Sequence, residues 1–338
     1  MLENHYGFFL LGVQLHYAIN QNEKAFTIGF LIAALLLPLV LKTKYAFRMA
    51  TVSMMYMLLV HGLNFLVGFL GQNSFGHSAF WGIGAYTTAV LSTKFGFQTL
   101  PCIICTLLLT GILGLLLGVP SMKMRGVYIV IVTVGFCEIM RLVELNWMAV
   151  TNGPLGIKAI PKPMFFGLKI KTPLAFYYYI LILLILVTFI LSRILKSRFG
   201  RAIVAVREDE IAASAMGVNV FLVKIVAFAI SAMVAGLVGT FYAQYMSYID
   251  SNAFTTAAST EILVMVIFGG LGSMVGPFIG AGILTLLPEL MRSLSDYRML
   301  IYGLLLVVLM LVQPTGIMGK VNFEYIRQRL TSDLKQEK

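Results

Sequence analysis

Residues 49–93 contain no Asp, Glu, Lys or Arg. An α-helix needs about 20 apolar residues to cross a hydrocarbon core, so this run has room for two crossings. The break between them falls at Gly71-Gln-Asn-Ser-Phe-Gly76, where glycine and short polar side chains end a helix. Soluble domains are about one quarter charged; this chain is 12% charged and 59% hydrophobic. A β-barrel would show short segments of alternating polarity instead of continuous apolar runs. The expected fold class is therefore an all-α polytopic membrane protein.

Further apolar runs occupy 25–41, 100–119, 127–145, 175–191, 225–248, 262–288 and 300–312. Gly269-Gly-Leu-Gly-Ser-Met-Val-Gly-Pro277 interrupts the run at 262–288. Glycine and proline at that density break a helix, so two shorter helices are expected there. At about 20 residues per span the sum is about ten transmembrane helices, with Gly-interrupted short helices in both halves. Residues 1–24 form an interfacial or cytoplasmic segment, 25–313 the transmembrane domain, 196–222 a charged loop within it, and 314–338 a polar tail. An even number of crossings puts both termini on one side, together with 196–222 and the turn holding Lys123 and Arg125. Basic residues there favour the cytoplasmic side. The formal net charge of +11 sits mostly in loops and tail, where anionic lipid headgroups are the natural partner; no nucleic acid is implied. Cys102, Cys105 and Cys137 lie inside apolar runs and read as small buried hydrophobes, with no metal site. The first 20 residues lack the basic start, apolar block and small-residue cleavage site of a signal peptide.

One charged island stands between two long apolar runs. From Ser197 it reads Ser-Arg-Phe-Gly-Arg-Ala-Ile-Val-Ala-Val-Arg-Glu-Asp-Glu-Ile-Ala-Ala-Ser-Ala-Met-Gly. Arg201 and Arg207 precede Glu208, Asp209 and Glu210; small Ala212 and Ala213 follow, then Gly217. Acids suit a helix N-terminus and glycine its C-terminal end, so the order predicts a short helix over 207–217 lying across the membrane surface. Its alanines leave one face flat enough to enter a groove on a water-soluble partner. An ordinary solvated loop is the alternative.

Within the spans, Gln72, Asn73, Ser74 and His77 follow the first break. Backbone groups freed at such a break can face a polar ligand, so these four are candidate pathway residues, or else simply hydrogen-bonded in the core. The helix breakers are Gly71 and Gly76 in one half and Gly269, Gly270, Gly272 and Pro277 in the other. Each break carries Gly-x-x-Ser and opens onto a helix of small residues, and paired interrupted segments point to a transporter's central pathway. Glu138, Arg141 and Glu144, at i, i+3 and i+6, read as structural intramembrane ion pairs. His61 and Asn64 read as interhelical glue. Gly111, Gly114 and Gly118, like Gly276 and Gly280, allow close helix packing, either within this chain or against a second subunit.

The island resembles the EAA loop of ATP-binding-cassette importer permeases. Ala212, Ala213 and Gly217 match that motif's spacing, while Glu210 stands one place early and Ile211 takes the glutamate's position. The stretch from Gly71 to Tyr86, Arg125-Gly-Val-Tyr, Thr151-Asn-Gly-Pro-Leu-Gly156, the second Gly break and Pro314-Thr-Gly-Ile-Met-Gly319 are similar to the signature blocks of the M-type permease subunit of branched-chain amino acid importers. What the resemblance implies is a permease of the ABC importer type in the bacterial inner membrane. Its partners are a sister permease subunit, two ABC ATPase subunits that hold ATP and Mg, and an extracytoplasmic solute-binding protein. Its cargo is leucine, isoleucine or valine, and this chain itself binds no cofactor.

The sequence has no G-x-x-x-x-G-K-[ST], no H-E-x-x-H and no G-x-S-x-G, so no enzymatic chemistry is expected of it. Two other readings stand beside the importer of branched-chain amino acids. One is the same type of permease for urea, short amides or other small solutes. The other is a stand-alone secondary transporter or channel, which would usually keep a charged coupling site near mid-membrane.

Overall fold

The computed structural model describes residues 23–40, 43–121, 124, 126–165, 167–290, 303 and 316–318. Nearly all of the expected N-terminal segment, Lys123 and Arg125, the span at 300–312 and most of the tail lie outside the described residues. The first two helices are α1 (Glu23–Val40) and α2 (Lys44–Asn64), the latter running on into a π-helical turn (Phe65–Phe69). Next come α3 (His77–Lys94), α4 (Thr99–Ser121) and α5 (Val127–Asn146). A connection follows with a one-turn helix α6 (Met148–Thr151), a 3-10 turn (Gly153–Leu155) and strands β1 (Ile157–Lys158), β2 (Met164–Phe165) and β3 (Leu168–Lys169). Then come α7 (Pro173–Lys196), α8 (Arg198–Glu208), α9 (Glu210–Ala215), α10 (Val220–Met246), β4 (Tyr248–Ile249), a 3-10 turn (Ser251–Phe254), α11 (Thr256–Gly269) and α12 (Gly276–Leu290).

Among the described residues four helices are long and apolar enough to cross a membrane: Lys44–Phe69, Thr99–Pro120, Pro173–Lys196 and Val220–Met246. Shorter apolar stretches lie at Gly29–Pro38, Thr256–Gly269 and Gly276–Leu287. The two short helices expected around the second break are present. With 14 and 15 residues and a rise of about 1.5 Å per residue, neither alone spans a core of about 30 Å. The described helices are those of an all-α membrane protein, and the expected total of about ten spans rests in part on segments beyond them.

Contacts sort the loops to two ends of the bundle. At one end lie the first break, the island, the second break and 316–318: Ile317 N donates to Phe268 O and Met318 N to Gly269 O, both at 2.9 Å. At the other end Lys94 Nζ donates to Ala149 O (2.6 Å) and Lys162 Nζ to Tyr245 O (2.9 Å). There β1 also pairs antiparallel with β4, Ile157 opposite Ile249.

Helix α10 is the central post. Lipid offers no hydrophobic drive between helices, so close approach must come from small residues. Gly84 of α3 faces the Gly236 carbonyl, and Gly239 faces the Trp81 carbonyl, each with no room for a Cβ. Gly111, Gly114 and Gly118 of α4 meet Met233, Ala232 and Ile225 of α10, so this small-residue stripe packs within the chain. Thr240 Oγ1 accepts from Thr88 Oγ1 at 2.9 Å, and Thr106 lies 3.3 Å from the same hydroxyl. The large side chains on the opposite face of α4, Ile104, Leu108, Ile112 and Leu116, are exposed, as suits contact with lipid.

Valine at Gly84 or Gly239 should force α3 off α10 and cost about 1–3 kcal/mol by overpacking. Thermal unfolding in detergent should show a lowered midpoint for either variant. Alanine at Gly135, where a Cβ meets no described atom within 4 Å, should not lower the midpoint, since alanine suits a helix interior better than glycine.

Candidate functional site

The two Gly breaks meet. A Cβ on Gly68 would overlap the backbone of Gly272, and Asn64, at the end of α2, stitches across the contact. Its Nδ2 donates to Ser273 O (2.7 Å), and its Oδ1 accepts from Gly272 N (3.0 Å). Asn64 is thus the interhelical glue expected of it, whereas His61 Nδ1 bonds Met57 O of its own helix at 2.8 Å and its ring stands on Phe278. The Gly-x-x-Ser echo has a shared mechanical purpose. Ser74 Oγ accepts from Gly76 N (3.3 Å) just before α3; Ser273 Oγ accepts from Val275 N (3.1 Å) and Gly276 N (3.3 Å) just before α12. Each serine supplies an acceptor to amides that a helix start leaves bare.

Arg207 ties the island to this junction. Its Nη1 donates to Gly68 O at 2.7 Å. The same nitrogen lies 2.9 Å from where a Gly272 Cβ would be, and its Cγ 3.1 Å from the corresponding point on Gly71. One side chain from the island therefore touches both breaks. It fits because Gly71 and Gly272, with φ of +77° and +73°, carry no side chain in its way.

The island is two helices, where the sequence pointed to one over 207–217. Asp209 sits in extended conformation (φ −156°, ψ 114°) and accepts from Ile211 N (2.8 Å) and Ala212 N (3.0 Å). It is the N-cap of α9, which ends α8 and re-aims the chain. Ser197 caps α8 through Gly200 N (3.4 Å). At the far end Val218 N donates to Ala213 O and Gly217 N to Ser214 O, both at 3.0 Å; Gly217 takes φ +82° as a helix-ending glycine does.

The acidic trio accordingly has three different environments. Asp209 caps, Glu208 is exposed, and Glu210 Oε1 pairs with Lys224 Nζ at 2.6 Å. Sequence reasoning misses Lys224, whose side chain is 1% exposed, because it stands at the margin of a charge-free span; a lone cation at such a margin is the signal that an acid must face it. Of the small residues, Ala213 is buried and Ala212 exposed. Arg201 is exposed, and Ile211 and Met216 are 71% and 85% exposed, so α9 turns an apolar edge to solvent.

Gln72 and Asn73 line a cavity of ≈350 Å³ between the first break, Gly126 and Ile129, and residues 206–211. Gln72 is buried there with its Oε1 unpartnered. Ser74 and His77 do not join them: His77 Nε2 lies 3.0 Å from Leu59 O, deep between α2 and α3. The four pathway candidates therefore divide into two at a cavity and two holding the core. The ion-pair expectation also divides. Arg141 Nε reaches Glu138 Oε2 at 2.8 Å, and Thr256 Oγ1 donates to Glu138 Oε1 at 3.2 Å. Glu144 stands at the same three-residue spacing from Arg141, near enough to feel its charge, but makes no hydrogen bond with it, because the guanidinium turns to Glu138. On the loop at this end, burial holds the Lys162 ammonium below its ordinary pKa.

A family model described as the permease component of the branched-chain amino acid transport system matches residues 45–311. The chain belongs to this permease family. It is 35% identical over 320 residues to the high-affinity branched-chain amino acid transport system permease protein LivM of Salmonella typhimurium, covering 88% of this chain and 75% of that one. Identity and coverage are the same for LivM of Escherichia coli. LivH of Salmonella typhimurium, a second permease of that system by name, is 26% identical over 313 residues, covering 83% and 96%. No solved structure matches. The M-type resemblance read from the sequence is thereby established.

Glu210→Gln would leave the Lys224 ammonium buried without its counter-charge, a change that costs about 3–5 kcal/mol when a buried pair is broken. Proteolytic nicking around 215–217 should accelerate in this variant. Pairing it with Lys224→Met should restore resistance, because both charges are then gone.

Proposed function

We propose that this permease is one of two homologous translocating subunits of an ATP-driven importer, and that it carries leucine, isoleucine or valine inward across the bacterial inner membrane. The named function of the LivM and LivH relatives supports the cargo. In this reading α8 and α9 face the cytoplasm, and the chain termini lie on the same side. The exposed edge of α9, with Ile211, Met216 and Ala212, enters a groove on an ABC ATPase subunit. ATP and Mg are held by two such subunits. An extracytoplasmic solute-binding protein delivers cargo at the opposite end, against the loop carrying Lys158, Lys162, Lys169 and Lys171.

The observation that carries the mechanism is the bond from Arg207 to Gly68 O, with its contact to Gly272. Closure of the ATPases on nucleotide displaces α8 and α9 as a unit, braced by Glu210 and Lys224. Arg207 passes that displacement to the paired breaks, the places where the helices are already interrupted and bend at least cost. The cavity at Gln72 and Asn73 then opens or closes as the exit vestibule.

Arg207→Gln, in the assembled transporter in proteoliposomes, should keep ATP hydrolysis while uptake of leucine falls about tenfold or more, the effect of losing one charge-assisted hydrogen bond at a moving joint. Gly217→Pro should also uncouple the two, since proline fixes φ near −65° where the chain needs +82°. Normal uptake in both variants would remove the proposed lever. Wild-type uptake that survives nucleotide depletion but not collapse of the ion gradient would favour a stand-alone carrier.

A further inference from the structure

At the end of the bundle away from the island, three buried polar groups gather in one place with no hydrogen-bond partner among the described residues. Glu144 is 4% exposed, and neither carboxylate oxygen has a hydrogen-bond partner. Trp81 Nε1 and the Tyr86 hydroxyl, on residues 3% and 5% exposed, are also unpartnered. Glu144 and Phe254 cover the same face of Gly82: a Cβ there would lie 2.6 Å from Glu144 Oε1 and 2.9 Å from Phe254 Cγ. The Trp81 and Tyr86 rings stand 5.1 and 6.0 Å from the Phe254 ring, and Tyr242 completes the wall 4.9 Å from Trp81. Arg141, one turn earlier, bonds Glu138 at 2.8 Å and acts on Glu144 only through space, without a hydrogen bond.

A buried carboxylate with no partner is among the costliest groups a membrane helix can carry, and an empty indole N–H and phenol beside it add to that cost. A ligand bringing the missing donors and acceptor would satisfy all three groups at once. We infer that Glu144, Tyr86 and Trp81 form a receiving site for the zwitterionic head of an α-amino acid. The ammonium donates to the Glu144 carboxylate and the Tyr86 oxygen, with aromatic faces favouring the positive charge. The indole N–H of Trp81 donates to the cargo's carboxylate, and Phe254 and Tyr242 offer apolar surface to its side chain. In this conformation the Phe254 ring fills the centre, so filling the site requires the Ser251–Phe254 turn to move. That turn joins β4 to α11. The inference rests on the amino acid permease reading and adds to it a first station for cargo, far from the coupling helices.

The test uses the complete transporter, with leucine as the probe. ATP-dependent leucine uptake by the wild type is the control, and its absence would overturn the permease reading itself. Given that uptake, Glu144→Gln should lower it about tenfold or more, through loss of a charge-assisted contact. Glutamine has the shape of a neutral glutamic acid, so wild-type uptake in this variant would show a purely structural acid and overturn the inference. Thermal shift of the permease–ATPase complex without binding protein gives a second readout, since a ligand stabilises the state that binds it. Leucine should raise the midpoint, and 4-methyl-2-oxopentanoate, which lacks the ammonium, should not; equal shifts overturn the inference. If Glu144→Gln fails to assemble, Tyr86→Phe and Trp81→Phe keep the rings. Each should weaken the leucine shift several-fold, and wild-type shifts in both would equally overturn it.

Discussion

Within hydrocarbon every backbone amide and carbonyl must find a partner inside the protein, and two interrupted helices make that demand acute. Here the interruptions answer each other. Asn64 satisfies Gly272 N and Ser273 O, Arg207 satisfies Gly68 O, and the backbone at 317–318 satisfies Phe268 and Gly269. The polar groups freed by one break are thus closed by the other and by the island. Glycine permits it, because Gly68 and Gly272 approach within a distance that no side chain would allow.

That closure sets the breaks apart from the packing around α10. Around α10 the packing is dense and small-residue, with Gly84, Gly236 and Gly239 at the crossings; close-packed helices there move together. The breaks are held by a few directional hydrogen bonds, which can exchange at little cost. A displacement arriving at Arg207 therefore has a defined place to act. A second polar region lies at the other end, where Glu144, Tyr86 and Trp81 gather around Phe254. Buried polar groups without a hydrogen-bond partner among the described residues thus lie toward both ends of one packed column, Gln72 at one and Glu144 at the other.

Much of this was written in the order of residues. Gly71 and Gly272 announce their breaks, because glycine and proline density ends helices locally. The island's helix start, its small residues and its closing Gly217 follow from local rules of capping, and the permease family follows from the signature blocks. Asp209 was read as one acid among three, since its capping role depends on backbone dihedrals that residue order leaves open. Glu144 has the same three-residue spacing to Arg141 as Glu138 has, and spacing alone leaves open which acid the guanidinium turns to.

By itself the sequence determined the solvent of the fold, the places where helices stop, and the family. Those properties depend on transfer of side chains into hydrocarbon and on local backbone preference, and both are sums over neighbouring residues. Only the tertiary structure decided that the two breaks touch, that Arg207 reaches them, that Lys224 answers Glu210, and that Glu144, Trp81 and Tyr86 gather around Phe254. Each of these is a meeting of helices distant in the chain, set by which small residues let backbones approach, and no local pattern encodes the partner.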